Sequence, residues 1–404
     1  MSLAAQAIVV GAGPVGLSAA LALRSLGVDV LVLEAEPSDR TRPGSRAIFV
    51  HHEPLAVLDS FHPGIARRIL DGGILWTKRR YTYRGRQIYL REYKRPPQGA
   101  KTYGTSQSQR ETERILMEAA VSLGVRFQWG TAVAGVQPSA DAAAVRTESG
   151  QVLHAAYVVG ADGGRSAVRK SLGIAMEGSS SDVPFVVADF GELPDHPLPP
   201  ELSFHYEHPA LGGRNLLMVP MQGAWRIDVQ LRPGDDVAAW SSEAGIAKWL
   251  SQVADPRYAG EIQWISTYRF HQLVASRMAD ETRRVLLVGE AAHLFAPWGG
   301  RGLNSGIMDA ASAARAIHKA LQAKTAAEAR QAVDEFSDDR RQAALFNKGA
   351  AAFGLEMLAP ATFRAKLRRR LAGIVAPYYA PAGHWLSTGP NGGDGRGRPG
   401  KPTY

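Results

Sequence analysis

Three glycines and one carboxylate near the start of the chain have the types and spacing needed to hold a dinucleotide. Gly11, Gly13 and Gly16 form a G-x-G-x-x-G pattern, and Glu34 follows them. The first glycine allows a tight turn, the second lets the backbone approach a pyrophosphate, and the third lets helix and strand pack closely. The helix N-terminus adds partial positive charge, and a carboxylate at this distance accepts hydrogen bonds from ribose hydroxyls. The pattern predicts binding of an adenine dinucleotide but does not separate FAD from NAD.

Two later segments place small residues where the backbone would have to approach a ligand. Tyr157 to Ser166 is a strand-like run that leads into a glycine-rich turn, and residues 285–309 read VLLVGEAAHLFAPWGGRGLNSGIMD. In the second segment a strand ends in Gly289-Glu290, and a helix begins near Leu303. This order would aim a helix N-terminus at an electron-rich group.

The elements that must position these residues alternate between strand and helix. Hydrophobic periodicity predicts strands at 7–10, 28–33, 125–129, 152–159 and 285–288, and helices at 17–26, 110–123 and 303–321. From Ser179 to about Tyr268 the chain alternates as strands do, for example at 215–219 and 225–231. This region predicts an antiparallel sheet inserted in an α/β domain. Residues 389–404 contain six Gly and three Pro, which predicts a loose tail.

Composition indicates a folded protein that prefers anionic small ligands. Of 404 residues 45% are hydrophobic and none is cysteine, which excludes disulfides, thiolate metal sites and cysteinyl-flavin links and fits the reducing cytoplasm. The net charge of +9 favours anionic ligands, and short basic clusters without a recognition motif argue against nucleic acid. No secretory signal and no membrane span are expected. The paired histidines at 51–52 and 205–208 match no zinc spacing, so no metal is expected.

Three motifs, in this order, resemble the single-component FAD-dependent aromatic hydroxylases of the 4-hydroxybenzoate hydroxylase type, the group A flavoprotein monooxygenases. GAGPVG with Glu34 resembles their nucleotide fingerprint, Gly160 to Gly163 their DG motif, and Gly289 to Gly306 their GD motif. Glu290 departs from the pattern, because the family usually has aspartate there. The resemblance covers nearly the whole chain. It implies an α/β fold with a Rossmann-like (GR2-type) FAD-binding domain, an inserted, mostly antiparallel β-sheet substrate domain and a C-terminal helical segment.

The resemblance also implies domain limits and a reaction. It assigns 1–70, 105–177 and 277–365 to the FAD-binding domain, 71–104 and 178–276 to the substrate sheet, and 366–404 to a C-terminal helix and a Gly/Pro-rich tail. NAD(P)H would reduce non-covalent FAD, O2 would be captured as a flavin C4a-hydroperoxide, and its distal OH would pass to an electron-rich aromatic, phenolic or related substrate. The protein is expected to be a monomer or homodimer.

Family positions carried onto this chain predict the cofactor contacts. Arg46 is similar to a family arginine that contacts FAD, and Gln109 to the glutamine that precedes a family helix; cofactor contact is expected for both, with capping or surface roles as the alternatives. Arg226 aligns with a family arginine near the flavin, and a surface role is equally open for it. The residues expected to contact FAD are Gly11, Gly13, Pro14, Val15, Gly16, Glu34, Ala35, Arg46, Gln109, Asp162, Gly163, Gly289, Glu290, Pro297, Gly300, Gly302, Leu303 and Asn304.

For catalysis, Arg301 would add positive charge, Pro297 would lie beside the substrate, and His293 could deprotonate a phenol. A structural role for His293 is the alternative. Arg214 could meet a carboxylate. The expected substrate residues, each with sheet packing as its alternative, are Tyr206, Met218, Gln222, Asp228, Pro297 and Trp298. Because Pro220 and Gln222 stand roughly where 4-hydroxybenzoate hydroxylase grips its substrate, that substrate is not expected.

Other activities on the same scaffold stay open. They are Baeyer–Villiger oxidation or epoxidation of a polycyclic metabolite, and a non-catalytic flavin-binding redox sensor. A halogenase is disfavoured because the chain has no Trp-x-Trp-x-Ile-Pro motif. The sequence assigns neither the substrate nor a preference between NADH and NADPH.

Overall fold

The computed structural model describes residues 3–46, 48–94 and 104–389. The tail beyond 389 and residues 95–103 of the expected substrate domain lie outside the described residues. The strands are β1 (Ala5–Val10), β2 (Val30–Leu33), β3 (Phe49–His51), β4 (Lys78–Tyr83), β5 (Arg86–Glu92), β6 (Gly104–Ser106), β7 (Arg126–Gln128), β8 (Val133–Pro138), β9 (Ala143–Thr147), β10 (Val152–Gly160), β11 (Met176–Gly191), β12 (Leu202–His208), β13 (Arg214–Met221), β14 (Ala224–Gln230), β15 (Ile262–Ala275), β16 (Val285–Leu287) and β17 (His293–Leu294). The α-helices are α1 (Pro14–Ser25), α2 (His52–Phe61), α3 (Ile65–Asp71), α4 (Gln109–Ser122), α5 (Ala167–Ser171), α6 (Val237–Ser241), α7 (Glu243–Leu250), α8 (Arg301–Gln322), α9 (Ala326–Leu358), α10 (Phe363–Val375) and α11 (Ala380–Thr388).

Parallel strands form the centre of the first sheet, in the order β7-β2-β1-β10 with β16 on the far side of the carboxyl half of β10. The antiparallel hairpin β8–β9 extends the amino half of β10. Strands β2 and β16 are completely buried apolar runs, which is typical of parallel strands covered on both faces. Val10 pairs with Gly160, and Gly160 pairs with Leu287, so three strands end side by side. The three glycine-containing segments therefore meet at one sheet edge, where open α/β folds bind ligands.

The second sheet has eight strands in the order β17-β15-β11-β14-β13-β12-β4-β5. Its described pairs are antiparallel except for β12 with β4. One face, which we call the outer face, packs on α7 through a cluster that includes Phe190 and Trp249. The opposite, inner face carries an aromatic cluster with Phe185 and Phe204 that reaches the C-terminal helices. The predicted fold class, a Rossmann-like α/β domain with an inserted antiparallel sheet, is confirmed.

Two differences between the observed and the predicted helices bear on the site. α8 begins at Arg301 rather than near Leu303, because Gly300, with a φ of +66°, turns the chain directly into the helix. The prediction did not include α9, a helix of 33 residues that starts with a capping box between Thr325 and Glu328. α9 packs along α8 and against β15, so it joins the two sheets.

Within the described ranges, no helix combines the length and the apolar composition needed to cross a bilayer.

Candidate cofactor and substrate site

The turn between β1 and α1 leaves no room for a side chain at two of its glycines. A Cβ on Gly11, whose φ is +101°, would lie 2.6 Å from the carbonyl oxygen of Ala161, and a Cβ on Gly16 would overlap the carbonyl oxygen of Gly11. Gly13 is the N-cap of α1 and offers no side chain to the first N–H groups, and Pro14 occupies the first turn. The remaining N–H groups are available to a pyrophosphate.

Glu34, at the end of β2, is buried and stabilises this turn. Its Oε2 accepts a hydrogen bond of 2.6 Å from the backbone N–H of Ala12, and it lies 3.2 Å from Arg40 and 3.6 Å from Arg42. A Cβ on Gly13 would lie 3.4 Å from Nη1 of Arg42, so this guanidinium is beside the N-terminus of α1. Arg42 thus adds positive charge where a pyrophosphate would bind.

Asp162 and Glu290 lie on neighbouring turns at the same sheet edge. Oδ2 of Asp162 accepts a 3.0 Å hydrogen bond from Val168 N, whereas its Oδ1 is buried and accepts none from the described residues. Arg169 donates to carbonyl oxygens of both turns, at 3.1 and 3.0 Å. Glu290 is exposed, and a Cβ on Gly164 would lie 3.9 Å from its Oε2. The longer side chain of Glu290 therefore reaches toward the turn after β10.

The N-terminus of α8 has no side-chain cap, and β3 packs beside it. Gly300 is the N-cap and has no side chain to bind the first N–H groups of α8. Asn304 donates to Phe49 O and accepts from His51 N, both at 2.8 Å, so its side chain holds β3. Burial lowers the pKa of His51 to about 4, although its Nε2 contacts Gly299 O at 2.8 Å. The ring is therefore neutral near pH 7 and acts as a rigid donor.

α1 and α8 cross closely enough to bring their N-termini together. A Cβ on Gly289 would lie 3.0 Å from Val15, and one on Gly306 would lie 2.5 Å from it. Both helix starts lack a side-chain cap, and the buried Oδ1 of Asp162 faces no protein donor among the described residues. Glycine-lined backbone, two helix N-termini and an unpartnered oxygen at one edge fit a bound dinucleotide.

His293 lies in a buried ionic cluster behind this edge. Oδ2 of Asp309 is 2.6 Å from His293 Nε2 and accepts a 3.1 Å bond from Gly289 N, and Oδ1 accepts a 2.8 Å bond from Arg340. Burial opposes ionisation, but His293 and Arg340 hold the pKa of Asp309 below its ordinary value. The geometry favours the structural alternative for His293, because its Nε2 is already engaged and its side chain is 1% exposed.

A second cluster joins the segment around Arg46 to the inner face of the second sheet. Asp189 accepts hydrogen bonds from Ser45 N at 2.7 Å and from Ser45 Oγ at 2.9 Å, and it pairs with Arg226 at 3.1 Å. Arg226 also donates to the carbonyl oxygen of Arg46, a residue with a φ of +51°. Arg226 is therefore a buried residue of the site, and the surface alternative is wrong.

Other predicted cofactor and catalytic residues surround the same edge. Gln109 begins α4 and donates to Glu113 at 2.7 Å, and Gly163 follows Asp162 in a left-handed conformation. Ala35 and Pro297 are exposed. Arg301 donates to the Asn347 side chain of α9 at 2.5 Å. Contact of these residues with FAD stays a prediction.

Tyr206 and Trp298 belong to packed aromatic clusters. Tyr206 is completely buried, its hydroxyl donates to Leu386 O at 2.7 Å, and burial raises its pKa. Trp298 packs against Phe185 and Phe270, with ring centroids 5.7 and 5.9 Å apart. The sheet-packing alternative is therefore favoured for Tyr206, whose hydrogen bond holds α11. Trp298 covers the aromatic cluster of the inner face.

Met218 does not share a face with Asp228, which corrects the prediction that both line one pocket. In the register of β13 with β14, Leu217 is opposite Asp228 and Met218 is opposite Ile227. Successive side chains of a strand point to opposite faces, so Met218 lies in the outer cluster and Leu217 next to Asp228.

Gln222 and Arg214 are also placed away from Asp228. Gln222 is exposed in the turn that joins β13 to β14, and Asp228 lies four residues beyond the start of β14 at Ala224, about 13 Å along the strand. Arg214 pairs with Asp235 at 2.5 and 2.8 Å and stacks on Trp240. Neither placement supports contact with the same ligand as Asp228.

Asp228 faces inward beside Arg226. Its Oδ1 is buried and accepts no hydrogen bond from the described residues. Burial raises the pKa of Asp228 to about 7, although the positive charge of Arg226 acts in the opposite direction.

Among the described residues, no group of three or more His, Asp or Glu side chains could hold a metal ion.

Three residues at or beside the candidate site were not predicted from the sequence. Arg42 lies beside the N-terminus of α1, Asp189 joins the two halves of the site, and Asp309 organises the buried cluster. A signal existed for the two aspartates, because each is a single acid in an otherwise apolar stretch, where buried charges are paired.

Comparison with known families and proteins gives a consistent result. The family model described as FAD binding domain matches residues 4–345. The chain is 33% identical over 324 residues to a rifampicin monooxygenase of Streptomyces venezuelae, covering 75% of this chain and 62% of that one. It is 28% identical over 350 residues to a para-nitrophenol 4-monooxygenase of a Pseudomonas species, covering 83% and 82%.

A crystal structure of p-nitrophenol 4-monooxygenase from Pseudomonas putida has the same fold, with a TM-score of 0.79 and 24% identity over 98% of this chain and 100% of that one. The chain spans between 54% and 63% of the length of several curated relatives, including the rifampicin monooxygenase of Streptomyces venezuelae.

Proposed function

The chain belongs to the FAD-binding domain family, and from this premise we propose that it is a monooxygenase that uses FAD, NAD(P)H and O2 to hydroxylate an electron-rich aromatic substrate. Its similarity to proteins named rifampicin monooxygenase and para-nitrophenol 4-monooxygenase supports the reaction class. Phenolic and polycyclic aromatic compounds are the substrate classes to test first.

One observation supports this function more than the others: the inner face of the second sheet is bonded to the segment before β3, and β3 is itself held by Asn304 at the start of α8. Arg226 and Asp189 of the sheet hold the backbone at Ser45 and Arg46. A ring at the N-terminus of α8 would therefore lie next to side chains of the sheet. Cofactor chemistry and an aromatic substrate can meet there without a domain movement.

FAD, when bound, would carry the electrons of NAD(P)H and activate O2. The uncapped N–H groups at the start of α8 would stabilise negative charge on the ring that faces them. Arg226 would add a fixed positive charge, held in place by Asp189. Trp298 and Phe270 would exclude water from the substrate side.

The remaining parts of the proposal concern the partners. The chain has one dinucleotide fingerprint, so NAD(P)H would bind across the FAD domain rather than in a second Rossmann unit. A monomer or homodimer in the cytoplasm is proposed.

The test is a substrate screen on the purified, FAD-loaded chain. Oxidation of NADH and of NADPH is followed with phenolic acids, aminobenzoates, hydroxypyridines and polycyclic phenols, under air and under 18O2. We expect stimulated oxidation and a product that carries one labelled oxygen on the ring. A ring-expanded lactone would indicate the Baeyer–Villiger alternative, and FAD binding without stimulated oxidation by any compound would contradict an aromatic hydroxylase.

A further inference from the structure

Asp228 lies between the cofactor edge and the aromatic cluster of the inner face. It is two residues after Arg226, or about 7 Å along β14. Its cross-strand neighbours are Val187 on β11 and Leu217 on β13. On the other side, Gln230 of the same face pairs with Phe185 of the aromatic cluster. The carboxylate is therefore at the position where a ring held between these two regions would be contacted.

The polar side chains next to Asp228 on β11 and β14 have protein partners, whereas the side chain of Gln272, farther along the face on β15, finds none among the described residues. Asp189 is bound by Ser45 and Arg226, and Gln230 accepts a 2.7 Å hydrogen bond from Asn215. Oδ1 of Asp228, by contrast, is buried and accepts no hydrogen bond from any residue that the structure describes. An unsatisfied buried carboxylate oxygen destabilises a protein, so a donor supplied by a ligand would be strongly favoured.

We propose that Asp228 binds the hydroxyl or amino group of the aromatic substrate and disfavours a carboxylate at that position of the ring. This inference rests on the proposed function. A hydrogen bond from a ring hydroxyl to Oδ1 increases the electron density of the ring, and no covalent bond changes. A carboxylate at the same place would set two like charges against each other in a buried site. Burial raises the pKa of Asp228 to about 7, so the preference is expected above that pH, where the carboxylate form predominates.

Equilibrium dialysis of the FAD-loaded chain tests this without requiring turnover. The probes are 4-methylphenol, 4-methylaniline, 4-methylanisole and 4-methylbenzoate, with the matched 1-naphthol series as a larger scaffold. We expect the hydroxyl and amino compounds to bind at least about tenfold more tightly than the methyl ether and the acid, as for a hydrogen bond to a charged group. Asp228→Leu should remove the difference and leave the melting temperature unchanged or raised, because it removes a buried unpaired charge.

Asp182→Leu, at an exposed aspartate of β11, is the matched control and should keep the preference. Equal binding of phenol and ether, tightest binding of the acid, no binding of any donor-bearing probe, or a preference that survives Asp228→Leu would overturn the inference. Because dialysis reports binding alone, a chain that binds phenols selectively but oxidises none would contradict the proposed function and not the role of Asp228.

A separate observation concerns the outward surface of α10. Phe363, Leu367, Leu371, Ile374 and, just beyond the helix, Tyr378 are 77%, 44%, 52%, 51% and 80% exposed. Their spacing of three and four residues places them in one stripe along the helix. An exposed stripe of large apolar side chains of this length indicates an interaction surface.

Basic residues border this stripe on both sides. α10 has five basic residues and no acidic one. At 3.6 residues per turn, Arg364 and Arg368 flank one side of the stripe, and Lys366 and Arg370 flank the other. The fifth, Arg369, points inward and donates to Leu358 O at 2.8 Å.

From this charge pattern we infer that α10 lies on the surface of an anionic lipid bilayer. A second copy related by a two-fold axis would bring the basic borders of both stripes together, and like charges at that distance repel. An apolar interior beneath anionic headgroups complements both the stripe and its borders.

Co-sedimentation of the full chain with vesicles tests the bilayer as partner. We expect binding to phosphatidylcholine vesicles that contain phosphatidylglycerol, release by salt, and at least about tenfold weaker binding without phosphatidylglycerol or in Leu367→Glu/Leu371→Glu. Val121→Glu, at an apolar residue of α4 with 57% exposure, is the matched control and should bind normally. Failure to bind, binding that ignores lipid charge, or a dimer that the double variant dissociates would overturn the inference.

Discussion

At the edge of the first sheet the ligand-facing groups are mainly backbone atoms, whereas on the inner face of the second sheet they are side chains. Gly11, Gly16 and Gly289 occupy positions where a Cβ would press on Ala161, Gly11 or Val15. Asp228 and Leu217 lie together on the inner face only because of the pairing register of β13 and β14. A site made of backbone leaves a spaced glycine motif in the sequence. A site made of side chains on a strand shows only as an alternating pattern in the sequence. Which of the alternating residues face the site depends on how the strands pair, and no local motif specifies that pairing.

The largest effect should come from the buried cluster that supports the backbone-built edge. Asp309→Ala leaves Arg340 and His293 buried without their anion, so we expect a loss of about 3–5 kcal/mol in the free energy of unfolding, measured in urea. Asp339→Ala is the control, because this exposed acid pairs with the same arginine at 3.5 Å. It should change stability by less than about 1 kcal/mol. Equal losses in both variants would contradict the cluster's role.

The same cluster predicts a pH dependence. The pKa of Asp309 is lowered in the folded state, so its stabilisation is complete above the unfolded pKa of about 3.9 and is lost as the pH falls through the lower folded value. Unfolding experiments between pH 3 and pH 6, values chosen to bracket about 3.9, should show a steeper acid loss in the wild type than in Asp309→Asn. Parallel curves would assign the acid sensitivity to other groups.

On the second sheet, a pair of neighbouring substitutions separates the two faces. Met218→Ala should lower the free energy of unfolding by about 2–5 kcal/mol, because it opens a cavity in the outer cluster. It should leave the KM for an identified substrate unchanged. Leu217→Ala should instead change KM, because Leu217 lies opposite Asp228. The reverse assignment of stability and KM would show that the register is wrong.

The glycine turn should respond to an added methyl group by losing its ligand. Gly16→Ala places a Cβ against Gly11 O, which costs about 1–3 kcal/mol and shifts the backbone that a pyrophosphate needs. We expect little FAD absorbance in the purified variant. Gly27 lies at positive φ but has open space around it, so Gly27→Ala should retain FAD. Normal FAD content in Gly16→Ala would refute the backbone-built site.

The smallest effect is expected at Tyr206. Tyr206→Phe removes the hydrogen bond to Leu386 O, which should cost about 0.5–1.5 kcal/mol with the aromatic packing retained. Activity and KM should be unchanged when measured on the best substrate of the screen. A large rise in KM would instead indicate that Tyr206 contacts the substrate.

The family match confirms the FAD-binding fold that the motifs predicted, and the predicted strands of the first sheet coincide with observed ones. At the second sheet the sequence did not predict which side chains face the site, because Met218 and Leu217 are adjacent in the chain and point to opposite faces. It also missed α9, whose polar and alanine-rich sequence has no strong apolar stripe. Arg42 was missed because its position follows from a loop that folds back over α1.

By itself, the sequence determined where the backbone of this protein must come close to a ligand, because only glycine fits at Gly11 and Gly16 and glycines are visible in a sequence. The tertiary structure decided which side chains share the site. It paired His293 with Asp309, joined Arg226 to Arg46, and left Asp228 unpartnered on the inner face. Such contacts join residues from distant parts of the chain, and the packing of two sheets is what brings them together.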